Sequence, residues 1–223
     1  MGDLFGQLLP FAVGIALSPI PVIAVIFILF TPKAKTNGPM FLLGWFLGIL
    51  VIGGIVVAIG GSSAASGDES TSRGWLALLL GILLLVAAAR QWHSRPEPGE
   101  QTTMPKWMSG LDRFTGGRAL GIGGLLSSVN PKNLLLAIGA SNVIATSTLD
   151  GSEQWILLVV FAALASVTVA LPVAYALVAG ERATETLTQM KSWLVVNNTA
   201  VMAVVLLVFG AKLVGDGISA LSA

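Results

Sequence analysis

Runs of apolar residues long enough to cross a bilayer alternate along this chain with short polar stretches. About 20 apolar residues span hydrocarbon as a helix. Six segments qualify, at about 5–30, 39–60, 75–92, 118–146, 154–179 and 195–217. Away from water a segment satisfies its own backbone only by coiling into a helix. The pattern therefore predicts an all-α polytopic membrane protein with six transmembrane helices.

Two of the six are interrupted by polar and helix-breaking residues. "GIALSPIP" at 14–21 and "GLLSSVNP" at 124–131 share Gly-x3-Ser-x2-Pro, at an offset of 110 that also brings Trp45 onto Trp155. A repeat with an odd number of spans places its halves upside down relative to each other, as in many transporters. The expected organisation is a single membrane domain, 1–223, with repeat one at 1–92 and repeat two at 118–223. A cytoplasmic linker and interfacial helix occupy 93–117. Helices 1 and 4 are expected to break at proline, because proline lacks a backbone N–H and its ring clashes with the preceding turn. Pro19 and Pro21 free carbonyls around Ala16 and Leu17, and Pro131 does so near Ser127. Ser18, Ser127, Ser128 and Asn130 stand close enough to take up such groups. In inverted-repeat transporters the broken helices meet near the midplane and form the substrate site.

Lys132 sharpens that expectation. About 14 residues of its segment lie on either side, roughly 20 Å of helix, too far for its side chain to reach the headgroups. A cation at that depth costs roughly 2.5–3.5 kcal/mol on insertion scales. No acidic residue stands deep in any segment, and the position opposite Lys132 in the first repeat is Val22. Three readings stay open: Lys132 anchors an anionic headgroup, carries a proton, or bonds the carbonyls that Pro131 frees in its own helix. Asn130 and Asn133 stand beside it as groups to hydrogen-bond a substrate, and Ser18, Ser127 and Ser128 complete the candidate substrate-binding or coupling site.

Composition supports the membrane class and narrows the chemistry. The 223 residues are 55% hydrophobic and only 10% charged, against about a quarter charged in soluble domains. Mean hydropathy is +0.87. No basic stripe exists to neutralise phosphates, so nucleic acid is not an expected partner. With no Cys and one His, His93, thiolate metal sites, disulfides and His-based triads are excluded. No cofactor, metal site or nucleophile–base pair is expected, and the protein reads as a non-enzyme. The N-terminus lacks a basic n-region and reads as the start of the first span.

Charge sets the orientation. Lys33 and Lys35 lie in the first loop, Arg90, Arg95, Lys106, Arg113 and Arg118 in or beside the third, and Arg182 and Lys191 in the fifth. Arg73 stands alone in the second, and Asp150 and Glu153 mark the fourth. The positive-inside rule then puts loops 31–38, 93–117 and 180–194 in the cytoplasm and both termini outside. Lys212 reads as a snorkelling Lys, with Asp216 at i+4. Gly44 and Gly48, followed by Gly53 and Gly54, read as close helix packing. Small-xxx-small faces of this kind also allow a homodimer. Ser166 and Thr168 can bond back to their own helix, and Pro172 is expected to kink the fifth span.

"LSPIP", "FLLGWFLG", "PKWMSGLDRF" and "NPKNLLLAIGA", in a six-span chain, resemble the actinobacterial peptidoglycolipid- or sulfolipid-addressing proteins (Sap, GAP-like) of the LysE exporter superfamily. The resemblance covers most of the chain, and "NPKN" is its most specific piece. It implies a bacterial inner-membrane protein of inverted three-plus-three fold that moves envelope lipids or glycolipids outward. By position it carries over Ser18, Pro19 and Pro21, and Asn130, Pro131, Lys132 and Asn133. Thiol-electron carriers of the superfamily use Cys in their broken spans, which this chain lacks. The expected function is a secondary transporter or flippase-like exporter of envelope lipids, served by an ion gradient or a partner pump. The alternatives are an accessory scaffold presenting lipid to a separate pump or synthase, or a LysE-like exporter of a small solute.

Overall fold

The computed structural model describes residues 2–63, 69–94 and 115–222, without the side chains of 61–63, 69–73 and 76. All regular structure among them is helical: α1 (Gly2–Ala16), α2 (Pro19–Leu29), α3 (Ala34–Ser63), α4 (Glu69–His93), α5 (Gly116–Ser128), α6 (Pro131–Ala145), α7 (Gly151–Ala165), α8 (Val167–Ala179) and α9 (Ala183–Ser222). The expected linker and interfacial helix around Lys106–Phe114 lie outside the described residues. Two stretches, Ala34–Gly60 and Val167–Ser222, are long and apolar enough to cross a membrane, and the bent pair α1–α2 makes a third. Ala77–His93 and α7 are shorter apolar helices.

The chain breaks at both "SPIP" and "NPKN". Pro19 has no N–H for the Ile15 carbonyl, and a residue before proline is pushed out of helical geometry. Ser18 is extended (φ −106°, ψ 101°) and Pro19 opens α2, whose axis turns 55° from that of α1. Asn130 is extended likewise (φ −62°, ψ 118°), and Pro131 opens α6. The offset between the breaks is thus 112, not 110. Ser18 matches Asn130 as the capping residue, and Pro19, rather than Pro21, matches Pro131 at the first helical position. Ile20, not Val22, then lies opposite Lys132. At that offset Trp45 no longer falls on Trp155; Trp45 is fully buried and Trp155 is 48% exposed.

Two further expectations change. The fifth apolar segment is interrupted at Ser166, where its hydroxyl bonds back to the Ala162 carbonyl at 2.7 Å and the chain turns between α7 and α8. Back-bonding of this kind competes with the backbone ladder and bends helices, whereas Pro172 sits inside α8 without ending it. The loop expected at 180–194 is a single 3-10 turn, Gly180–Arg182, followed by the first turns of the 40-residue α9.

Small residues decide which helices lie against each other. A side chain on Gly44 or Gly48 of α3 would collide with the Leu120 carbonyl or the Ser127 hydroxyl of α5, and one on Gly123 with the Phe41 carbonyl. Contacts that advance together along both helices make α3 and α5 parallel. In α4 and α9 the glycines recur at seven residues. Gly74 faces Leu221 and Gly217, and Gly81 faces Val214 and Gly210, an antiparallel pair and the most extensive helix contact in the fold. Gly14 lies on Leu136, and Gly139 on Phe11, so α1 and α6 are antiparallel. In lipid, where apolar burial does not drive helices together, backbone approach of this kind supplies much of the association energy. The Gly44–Gly48 face is therefore occupied within the chain and is not free to form a dimer.

Candidate functional site

Helix α1 ends inside the protein, so its last carbonyls need partners. Each finds one, and two come from the other half of the chain. The Ile15 carbonyl accepts from the Ser18 hydroxyl at 2.7 Å. The Ala16 carbonyl accepts from the Ser18 N–H at 2.8 Å and from the Thr168 hydroxyl of α8 at 2.6 Å. The Gly14 carbonyl accepts from the Lys132 ammonium of α6 at 2.5 Å. Lys132 thus caps the C-terminus of α1, where helix dipoles favour a cation. The carbonyl it holds belongs to the other half, which overturns the reading that it bonds carbonyls freed in its own helix.

Asn133 ties the same two breaks together. It is fully buried. Its amide donates to the Leu126 carbonyl at the end of α5, at 3.3 Å, and its carbonyl oxygen lies 2.9 Å from the Ser18 hydroxyl. That hydroxyl has one hydrogen and two acceptors, Ile15 and Asn133, within reach. Rotating the amide to supply the missing donor would set oxygen against the Leu126 carbonyl. The Ser18 hydrogen is therefore shared between a bond within α1 and a bond across the halves.

The other sequence candidates lie nearby in more local roles. Asn130 caps α6 by accepting from the Lys132 N–H at 3.1 Å. Ser127 and Ser128 both donate to the Gly124 carbonyl, at 2.9 and 2.6 Å. Pro19 and Pro21 are buried and Pro131 is exposed. Thr168, expected to bond back to its own helix, serves α1 instead. Its only signal is a hydroxyl in an apolar segment, and nothing in the sequence says which helix receives it.

Electrostatics set Lys132 apart. It is 4% exposed, and no carboxylate pairs with it among the described residues; the ion pair found there is Lys212–Asp216, at 2.5 Å. Among the described residues, two of its three N–H donors have no protein acceptor and its charge has no fixed counter-ion. Lys212, expected to snorkel with Asp216 at i+4, bonds Asp216 and lies 5.4 Å from the Phe11 ring centre. No group of three or more His, Asp or Glu that could hold a metal occurs among the described residues.

A family model described as Sap, sulfolipid-1-addressing protein, matches residues 8–219. No curated protein and no solved structure matches the chain.

Proposed function

The chain belongs to the sulfolipid-1-addressing protein family, and from that premise we propose that it is a membrane transporter of flippase-like action that moves an envelope lipid outward, rather than an enzyme. The observation that carries the reading is Lys132: a buried ammonium that, among the described residues, has one neutral carbonyl, no counter-ion and two open donors. Ionisable groups at membrane depth mark substrate or ion pathways.

The junction suggests how binding becomes movement. The Lys132–Gly14 bond is already charge-assisted by its donor, but an anion adds full charge–charge attraction that a neutral carbonyl cannot supply, the more so away from water. A sulfate or phosphate headgroup reaching Lys132 outcompetes the Gly14 carbonyl and releases α1 from α6. The shared Ser18 hydrogen then returns fully to Ile15, and the two halves part at their crossing. Outward movement is one half rocking against the other around Lys132, with energy from an ion gradient or a partner pump.

Helix directions support six alternating crossings, counting α1–α2, α5–α6 and α7–α8 as one span each. Spans that cross the same way, α3 and α5, pack parallel. Spans that cross in opposite senses, α4 with α9 and α1 with α6, pack antiparallel. Exchanging the halves also preserves the neighbours, since the first span packs on the fifth as the fourth packs on the second. Such symmetry fits the LysE-type inverted repeat.

The test is reconstitution in liposomes with a labelled anionic lipid. The wild-type protein is expected to move it between leaflets, and Lys132→Ala is expected to lose this while still inserting. Normal movement by the variant sinks the assignment of Lys132. No movement by the wild type favours an accessory scaffold that presents lipid to another protein.

A further inference from the structure

A second polar site lies away from Lys132, where the turn after α2 meets the turn between α8 and α9. These segments enclose a groove of 810 Å³, within the range of ligand sites. One wall is Leu29–Thr36 and the other runs from Ala176 to Leu187. Gly180, at φ 56° and ψ −129°, shapes the second wall. It alone has positive φ among the described residues, in a region that residues with a side chain avoid.

The lining has two chemistries. Lys33 and Lys35 are exposed and join no ion pair among the described residues, and Thr36 and Thr184 line the same groove. Among the described residues of the lining, Glu181 is the one acidic residue. The opposite character comes from Phe30 and Leu177, which are 37% and 46% exposed and continue the apolar outer surface. Lys191 lies 5.5 Å from the Phe30 ring centre and 4.6 Å from that of Phe27. A lysine whose stem lies along apolar surface with its charged end at the edge of the apolar region marks the level where hydrocarbon meets headgroups. A groove at that level, basic on one side and open to lipid on the other, fits a molecule with an anionic head and an apolar tail. A soluble anion uses only the first half of it.

We propose that this groove is a loading site for anionic lipid, holding the phosphate or sulfate headgroup on Lys33 and Lys35 and the chains against Phe30 and Leu177. It rests on the lipid-moving reading and adds where the lipid is taken up before it reaches Lys132. The outer turn before α7 carries Asp150 and Glu153 instead, so the fixed charges favour an anion at the inner mouth and repel it at the outer one.

The test uses the full chain in phosphatidylcholine nanodiscs containing a small fraction of photoactivatable phosphatidylglycerol, with labelled peptides mapped by mass spectrometry. Labelling is expected in 29–36 and 176–187, and to fall about fivefold for each lysine neutralised in Lys33→Gln and Lys35→Gln. Lys33→Arg with Lys35→Arg should retain it. Because removing these charges can disturb insertion, Thr184→Trp provides a second variant that fills the groove and leaves every charge in place; it too should lose labelling. Equal labelling by photoactivatable phosphatidylcholine overturns the proposal, as does unchanged labelling in Thr184→Trp. Displacement by inorganic sulfate as readily as by unlabelled phosphatidylglycerol reassigns the groove to a free anion. Lipid movement measured on the same variants separates the two readings. Labelling without movement leaves the groove standing, and movement without labelling removes the groove alone.

Discussion

At the scale of single residues, Lys132 sets stability against function. Lys132→Met keeps the aliphatic stem and removes the charge. Leaving the Gly14 carbonyl unpaired costs about 1–3 kcal/mol. Removing an unpaired cation from the membrane interior relieves about 2.5–3.5 kcal/mol. Thermal unfolding in detergent is therefore expected to show this variant at least as stable as the wild type, though unable to move lipid. Lower stability with normal movement is the signature of a structural cap. Asp150 offers a pH-dependent contrast outside the membrane. Its carboxylate accepts from the Ser152 hydroxyl and the Glu153 N–H, at 2.6 and 2.9 Å. These bonds hold its pKa below the usual Asp value. With the folded value below the unfolded one, the stabilisation is complete above the usual Asp range and fades as pH falls through the depressed value. The stability gap between the wild type and Asp150→Ala should thus be open at neutral pH and close in strong acid. A gap that persists unchanged there excludes the ionised cap.

At the scale of elements, glycine placement separates packing from coincidence. Gly44 and Gly121 are both helical, but a side chain on Gly44 meets the α5 backbone while one on Gly121 meets nothing within 4 Å. Gly44→Ala is expected to lower stability by about 1–3 kcal/mol, the usual cost of overpacking. Gly121→Ala should be neutral or slightly stabilising, since alanine is the better helix former. Equal effects on thermal unfolding contradict the α3–α5 contact. The helix breaks were legible in the sequence because proline's missing donor is a local property. Their register was not. "SPIP" and "NPKN" align by their first prolines only once it is clear that Ser18 and Asn130 cap the following helices. The interruption at Ser166 was also hidden, because a serine inside an apolar helix can bond back with or without ending it.

At the scale of the whole molecule, the number of crossings is the quantity to measure. Helix length and apolarity identify two spanning stretches, or three with the bent pair, whereas helix directions fit six. Because the chain has no cysteine, single introduced cysteines report sidedness without background. Thr36→Cys and Thr184→Cys should be shielded from an impermeant thiol reagent in intact cells, and Thr148→Cys and Gly2→Cys should be labelled. All four native positions are exposed. Labelling of Thr184→Cys from outside contradicts both the six-crossing topology and the cytoplasmic placement of the loading groove.

Composition, hydrophobic run length and two prolines were enough to establish an apolar, helical membrane chain broken at two related points. These properties depend on each segment's own transfer energy and backbone bonding. What Lys132 holds could not follow from them. Its partner is the carbonyl of Gly14, 118 residues earlier, and Thr168 reaches Ala16 across 152. Glycine contacts between helices choose which of them lie side by side. Only that arrangement brings the end of α1 to the start of α6 and makes Lys132 the cap of a helix in the opposite half, its charge unmatched among the described residues.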